Sequence, residues 1–209
     1  MAPQKRLLSI AFICIAGIAG LAAAFIWRHP NPTVELSTGT YLSPSRALPD
    51  FSLIDQRGQT FGSANLRGHW TMMFFGYTNC PDFCPTTMTT LALLEKRLRA
   101  AAAPVRPQVI FMSVDAKRDT PDQLAKYVPY FDPEFIGITA ADQPQIEAVA
   151  AKLGVAVLIT PQADGTYTVD HSASIFVLNP DGKLTAILTG PFTVDALAAD
   201  FQHIVAARS

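Results

Sequence analysis

The fold is decided by one stretch of sequence, residues 70–85, which reads WTMMFFGYTNCPDFCP. Its first seven residues form an almost continuous apolar run, which is typical of a strand buried on both faces of a sheet. Cys80 and Cys84 follow this run, and they are the only cysteines outside the apolar N-terminal segment. Because proline is favoured at the first helical position, we predict a helix that begins at Pro85.

The surrounding segments predict an α/β domain. Apolar residues at helical spacing, from Met88 to Leu98, are followed by a second buried strand over 109–114, which completes a parallel strand–helix–strand unit. The last third of the chain predicts two hairpins and a final helix. A βαβ unit followed by a ββα unit is the thioredoxin-like plan, here with inserted helices and an additional hairpin. The elements predicted outside the first unit are a short hairpin over 48–61, helices after Thr120 and Asp142, hairpins over 155–169 and 173–189, and a helix after Thr193.

The N-terminus predicts a membrane segment. Residues 7–27 carry no charge, and at about 1.5 Å per residue their helix would be about 31 Å long, close to the ~30 Å of a bilayer core. We therefore predict a membrane anchor at 1–28, a proline-containing linker at 29–46 and the thioredoxin-like domain at 47–209. A signal peptide cleaved at the alanines 22–24 is the alternative.

The residues before the apolar run predict its orientation. Lys5 and Arg6 would hold that end in the cytoplasm. Only six residues precede the run, which leaves no room for a mitochondrial transit peptide. We expect a single-pass protein of a bacterial inner membrane, with its N-terminus cytoplasmic and its C-terminal domain in the periplasm. The net charge of −1 gives no indication of a nucleic-acid partner.

Three soft ligands give the domain its candidate chemistry. In an oxidising compartment a thiol pair becomes a disulfide unless it is kept reduced, and a disulfide that closes so short a loop adds little stability. At a helix N-terminus Cys84 is expected to have a lowered thiol pKa, which suits a redox nucleophile and a metal ligand alike. A spacing one residue wider than in thioredoxins, and His171 where thioredoxins place a cis-proline, favour a metal. Two thiolates and an imidazole suit copper, since structural zinc prefers a fourth protein ligand.

Three blocks of sequence resemble the Sco/SenC family of copper-binding, thioredoxin-like proteins. The blocks are residues 76–85, 113–121 and 170–172, and the resemblance covers about 48 to 206. It implies delivery of copper to the binuclear copper centre of a cytochrome c oxidase, reduction of the cysteines of that centre, or both.

The family pattern also implies a ligand set. By that pattern Cys80, Cys84 and His171 would bind the copper ion. Asn79 stands where many relatives carry histidine, and Ala116 stands where proline is frequent. An accessory ligand is therefore missing, but the three primary ligands remain.

The sequence thus predicts a copper metallochaperone, which transfers an ion rather than turning over a substrate and is not expected to be an enzyme. Its expected partners are the copper-accepting subunit of a respiratory oxidase, a thioredoxin-like thiol reductant and another periplasmic copper chaperone. The alternative is a thiol–disulfide oxidoreductase in which Cys80 and Cys84 are redox-active. A copper-dependent redox sensor is a third class.

Four charged residues are expected near the site. Asp115 follows a parallel strand, at the edge of the sheet where ligand sites gather, and is expected either to orient the site or to cap a loop. Asp170 is expected either to accept a hydrogen bond from the His171 imidazole and fix its tautomer or to point to solvent. Arg118 and Asp119 are expected to form a local ion pair or a cap. The remaining candidates are expected to be core methionines and surface histidines: Met72, Met73, Met112, His29, His69 and His203.

Overall fold

The computed structural model describes residues 34–207. Within this range the chain forms ten strands and four α-helices. The strands are β1 Gly39–Ala47, β2 Ser52–Asp55, β3 Thr60–Gly62, β4 Thr71–Gly76, β5 Gln108–Ser113, β6 Ile136–Thr139, β7 Val157–Pro161, β8 Tyr167–His171, β9 Ser174–Leu178 and β10 Lys183–Thr189. The helices are α1 Phe83–Ala100, α2 Pro121–Phe131, α3 Gln143–Leu153 and α4 Val194–Ala206, and a 3-10 turn spans Ser63–Leu66.

Strand β4 lies inside an eight-stranded sheet whose order is β1-β10-β9-β4-β5-β6-β2-β3. It pairs in parallel with β5 and antiparallel with β9, and β5 pairs in parallel with β6. All of its residues are buried, which explains the continuous apolar sequence. The predicted βαβ unit is therefore β4-α1-β5, and the predicted ββα unit is β9-β10-α4. The predicted hairpin over 155–169 is β7-β8, which forms a separate two-stranded sheet.

Side chains alternate across β4 into two hydrophobic clusters, one on each face of the sheet. Met72 and Phe74 pack with residues of α1, α2 and α4. Met73 and Phe75 pack with residues of α3 and of the β7-β8 hairpin. The predicted core positions of the methionines are confirmed, because Met72, Met73 and Met112 are fully buried.

The predicted starts of three helices are confirmed by their caps. The side chains of Thr120, Asp142 and Thr193 each accept a hydrogen bond from the backbone N–H three residues later. Each cap satisfies one of the N–H groups that have no partner within the helix. Helix α3 ends at Gly154, whose φ of 80° is a left-handed conformation that glycine adopts without strain.

The predicted membrane anchor at 1–28 and His29 lie outside the described residues. Within 34–207, none of the helices is both long enough and apolar enough to cross a bilayer. His69 and His203 are exposed, as predicted.

The predicted linker at 29–46 is wrong over 39–46, because these residues belong to β1. This strand pairs antiparallel with β10 at the edge of the sheet, and its register shifts between Tyr41 and Arg46. Pro44 lies in the irregular part, where an edge strand tolerates a residue that cannot donate a backbone hydrogen bond. The folded domain therefore begins before residue 47.

Asp200 of α4 holds the chain that leads into β1. Its buried carboxylate accepts hydrogen bonds from the backbone N–H groups of Ser37 and Thr38 at 2.8 and 2.9 Å, and from their hydroxyls at 2.9 and 2.5 Å. Burial acts to raise the pKa of Asp200, but the hydrogen bonds from Thr38 and Ser37 outweigh it and hold the pKa below its ordinary value.

We expect Asp200→Asn to destabilise the protein at pH 7 by about 1.5–3 kcal/mol, the range for hydrogen bonds to a charged group. Because the folded-state pKa is lowered, this stabilisation is present above the ordinary pKa of 3.8 and is lost as the pH falls through the lower folded-state value. Urea unfolding at pH 7 and at pH 3 measures the difference in unfolding free energy. That difference should shrink at pH 3, and an undiminished difference would contradict the role of the charge. Asp195→Asn, an exposed change on the same helix, should shift stability by less than about 0.5 kcal/mol at both pH values.

Candidate metal centre

The carboxyl end of β4 leads directly into the candidate site. The strand ends at Gly76, and α1 begins at Phe83 after its N-cap residue Asp82. Cys80 lies in the intervening loop and is partly exposed, whereas Cys84 is fully buried in the first turn of α1. The strand, loop and helix predicted from the sequence are therefore all present.

The predicted helix start at Pro85 is two residues late. Pro85 is the third residue of α1. A proline is tolerated there because the first N–H groups of a helix have no partner within the helix. Cys84 is consequently a helical residue that faces the core, and not a loop residue at the rim of the site.

Gly76 allows the Cys84 sulfur to approach the end of β4. A Cβ atom at position 76 would lie 3.0 Å from Cys84 Sγ and 2.7 Å from the ring of Phe111. Both distances are shorter than van der Waals contact, so a larger residue would displace the sulfur, the ring or both. The glycine therefore fixes the position of Cys84 against the sheet.

The two cysteines are linked by a hydrogen bond and not by a disulfide. The backbone N–H of Cys84 donates to Cys80 Sγ at 3.4 Å, and both residues are free thiols. The loop therefore folds back onto the first turn of α1. Two sulfur donors are available in one place.

His171 brings a ring nitrogen to the same place from a distant part of the chain. It is the last residue of β8, and its Nε2 lies 3.9 Å from Cys84 Sγ. Its Nδ1 lies 3.2 Å from the backbone carbonyl oxygen of Ser172. A carbonyl oxygen can only accept, so Nδ1 carries the ring proton. The lone pair of Nε2 is therefore free to face the Cys84 sulfur.

Of the two alternatives for Asp170, the structure shows the solvent-exposed side chain and not the hydrogen bond to His171. Neighbouring residues of a strand point to opposite faces, and Asp170 is exposed while Val169 is buried. The carbonyl of Ser172 fixes the tautomer instead. Asp170 acts only as a nearby negative charge, and its effect on the pKa of His171 is smaller than that of burial.

Burial sets the protonation states of the free site. It raises the pKa of the Cys84 thiol far above its ordinary value, and the hydrogen bond with Cys80 adds to this effect. Burial also lowers the pKa of His171. The thiol and the imidazole are therefore both neutral at pH 7. The predicted lowering of the Cys84 pKa is wrong, because the cost of burying a thiolate outweighs the hydrogen bond from the Tyr77 backbone, which acts to lower the pKa.

The donors fit a soft metal ion shared by sulfur and nitrogen. With bonds of about 2.3 Å to sulfur and about 2.0 Å to nitrogen, as for zinc, a trigonal ion would separate these atoms by about 3.7 Å. The observed separation of Cys84 Sγ and His171 Nε2 is 3.9 Å. Within residues 34–207, no three His, Cys, Asp or Glu side chains are already arranged to hold an ion. A three-ligand site would therefore require these side chains to move closer together when the ion binds.

The predicted ion pair between Arg118 and Asp119 is wrong. Arg118 pairs with Asp115. Asp119 is fully buried and accepts hydrogen bonds from the Thr78 N–H at 2.9 Å, the Thr78 hydroxyl at 2.6 Å and the Ser113 hydroxyl at 2.7 Å. It thereby ties the cysteine-bearing loop to the end of β5. The sequence gives little signal for this role, because the loop donor is 41 positions away.

Asp115 is also fully buried, and its contacts reach the strand that carries His171. Its carboxylate accepts a hydrogen bond from the Tyr167 hydroxyl at 2.8 Å and another from Arg118. Tyr167 is the first residue of β8, and His171 is the last. Asp115 is therefore connected to the imidazole through the hairpin, a route that the sequence did not predict.

A family model of SCO1/SenC matches residues 40–206. The chain belongs to the SCO1/SenC family. The mitochondrial SCO2 homologue of Bos taurus is 35% identical over 208 residues, which is 99% of this chain and 77% of the relative. The match to SCO1/SenC begins inside β1, in agreement with the pairing of that strand in the sheet.

Solved structures of Sco proteins share the fold. The crystal structure of Arabidopsis thaliana ScoI with copper bound has a TM-score of 0.71 at 32% identity, and the match covers 76% of this chain and 97% of that one. BsSco belongs to the Sco family of cytochrome c oxidase assembly proteins and contains a disulfide switch. Its TM-score is 0.61 at 26% identity, over 78% of this chain and 94% of that one. The Sco/SenC resemblance and the mixed α/β, thioredoxin-like fold are confirmed.

Proposed function

We propose that this protein is a membrane-anchored copper metallochaperone that binds one copper ion through Cys80, Cys84 and His171. It would deliver the ion to the binuclear copper centre of a cytochrome c oxidase. One observation carries the proposal: the free lone pair of His171 Nε2 lies 3.9 Å from the buried Cys84 sulfur, beside a second free thiol. The copper-bound ScoI relative and the oxidase-assembly role of BsSco support it.

Because the donors are unequally buried, we expect release of the ion to begin at the more exposed one. Cys84 is fully buried, whereas Cys80 is partly exposed in its loop. Transfer by ligand exchange would begin at Cys80, when an incoming thiolate of the acceptor takes its place on the ion. Cys84 and His171 would follow. Each sulfur that binds copper gives up its proton and regains one when the ion leaves.

The proposed location follows from the apolar N-terminal segment, and the proposed partners follow from the copper chemistry. Residues 1–28 would anchor the protein in a bacterial inner membrane with the folded domain in the periplasm. The acceptor would be the copper-binding subunit of a respiratory oxidase. A thioredoxin-like reductant would keep Cys80 and Cys84 reduced, and another periplasmic copper chaperone would supply the ion.

Titration of the reduced full chain with Cu(II) tests the binding step. We expect an absorption band from sulfur-to-copper charge transfer that saturates at one copper per chain, because one set of two sulfurs and one imidazole is present. Absorption spectroscopy and metal analysis after gel filtration measure the stoichiometry. A chain that shows no band but reduces disulfides would contradict copper carriage.

Deletion of the gene tests the delivery step in cells. The activity and copper content of the terminal oxidase should fall, and excess copper in the medium should restore both. If a thiol reductant restores the oxidase and copper does not, delivery is not the function.

A second candidate function is thiol–disulfide exchange, favoured by the two free thiols and by the disulfide switch of BsSco. In this reaction the accessible Cys80 would attack a partner disulfide and release one partner thiol. Cys84 would then displace the second partner thiol and form the Cys80–Cys84 disulfide. Two electrons and two protons pass to the partner in total, and the burial of Cys84 makes its step slow.

A further inference from the structure

The imidazole of His171 lies on a hairpin that is not part of the main sheet. Strands β7 and β8 pair only with each other, and the other eight strands form a separate sheet. The position of His171 relative to Cys84 therefore depends on how the hairpin is attached to the domain. A one-residue slip of β8 would turn the imidazole to the opposite face.

Arg118 attaches the first residue of β8 to the end of β5. Its Nε donates a hydrogen bond to the buried carboxylate of Asp115, and its Nη1 donates to the backbone carbonyl of Tyr167 at 3.2 Å. The guanidinium carbon lies 3.9 Å from the centre of the Tyr167 ring and 5.5 Å from that of Tyr77. One planar group therefore contacts the loop after β5, the hairpin and the loop before Cys80.

These contacts bear on His171 by two routes. Tyr167, Val169 and His171 alternate onto one face of β8, so fixing Tyr167 fixes the face that presents the imidazole about 13 Å farther along the strand. The Tyr77 ring meets the His171 ring edge to face, with 6.0 Å between the centroids and 87° between the planes. Arg118 lies against the same tyrosine. The guanidinium thus contacts Tyr167, at the start of the strand that carries His171, and Tyr77, whose ring meets the imidazole.

We propose that Arg118 is a positioning residue that holds the β7-β8 hairpin so that His171 Nε2 meets the Cys84 sulfur. The proposal rests on the proposed copper function, since it concerns the third ligand of that site. Asp115 is fully buried and the Arg118 side chain is only 24% exposed, so this ion pair is little screened by water. Its geometry is set by the planar guanidinium, which donates in two directions while it stacks on rings.

Two variants of the full chain test the role of the guanidinium. Arg118→Met keeps the unbranched apolar stem of the side chain but removes its donors and charge. Arg118→Lys keeps the charge but cannot donate to Asp115 and Tyr167 in the same arrangement. The matched control is Arg57→Met, because Arg57 also pairs with a buried aspartate, Asp55, at 2.8 Å. Asp55 lies on β2, which β5 and β6 separate from β4.

Copper retention and the coordination of Cu(II) are the first readouts. Competition with a chelator should show retention about 10-fold weaker, or more, in both Arg118 variants, as for other residues that orient a ligand. Electron paramagnetic resonance should show loss of the imidazole nitrogen coupling. The Arg57→Met control should retain copper and the coupling as the wild type does. Wild-type coupling and retention in Arg118→Met would overturn the proposal, as would full restoration by Arg118→Lys.

The second readout does not depend on copper. In the metal-free chain, nuclear Overhauser contacts between the rings of His171 and Tyr77 should be present in the wild type and lost in Arg118→Lys. Preserved contacts in that variant would overturn the positioning role. A wild-type chain that binds no copper would refute the proposed function, whereas these ring contacts would still decide the role of Arg118.

Discussion

The change His171→Ala is expected to abolish copper retention and to leave both thiols chemically active. Removal of the imidazole leaves two sulfur donors and deletes the only ligand that the β7-β8 hairpin provides in this arrangement. Loss of a direct ligand should weaken retention by more than about 100-fold, the upper end for residues that only orient a ligand. Chelator competition measures the retention, and a disulfide-exchange assay measures the thiols.

Histidines away from the site provide the controls for this change. His69→Ala and His203→Ala remove exposed imidazoles and should leave retention within about twofold of the wild type, since surface changes rarely disturb a site. If His171→Ala retained copper as the wild type does while disulfide exchange still required Cys80 and Cys84, the oxidoreductase would be the better description.

The change Cys84→Ser is expected to abolish copper binding and disulfide exchange together. Serine replaces a soft sulfur by an oxygen, which soft metal ions bind weakly, and it cannot form a disulfide. Cys84 is the residue that His171 Nε2 faces and whose N–H contacts the Cys80 sulfur. Loss of a direct ligand is expected to weaken copper retention by more than about 100-fold. Metal analysis after gel filtration should therefore find less than about a tenth of the wild-type copper.

A change in the same helix separates loss of a ligand from disturbance of the core. Met88→Leu replaces a fully buried residue one turn after Cys84 by one of similar volume, at a cost below about 1.5 kcal/mol. This variant should bind one copper as the wild type does. Equal loss of copper in Met88→Leu and Cys84→Ser would show that packing of α1, and not the sulfur, limits binding.

The protonation state of Cys84 favours copper carriage over thiol exchange. A thiol attacks a disulfide as its thiolate, and burial raises the pKa of Cys84 so that the thiolate is scarce at neutral pH. A soft cation removes this obstacle, because it replaces the proton and neutralises the sulfur charge. The same burial that makes Cys84 a slow nucleophile would protect it as a ligand of the proposed copper site.

Local features of this protein could be predicted because they depend on neighbouring residues. The apolar run over 71–76 predicted a central strand, and Thr120, Asp142 and Thr193 predicted three helix starts. Caps and buried strands are encoded within a few residues, so they can be predicted without knowledge of the fold. The resemblance of three short blocks also identified the family, which the match over most of the chain confirmed.

The sequence by itself determined the strand–loop–helix that carries Cys80 and Cys84, and its resemblance to the family predicted His171 as the third ligand. Only the tertiary structure decided that Arg118 pairs with Asp115, that the Ser172 carbonyl sets the histidine tautomer, and that residues 39–46 form an edge strand. It also decided that the Cys84 thiol is neutral. The physical reason is the same in each case. Desolvation and long-range hydrogen bonding depend on which distant segments pack together, and composition and spacing do not specify that packing.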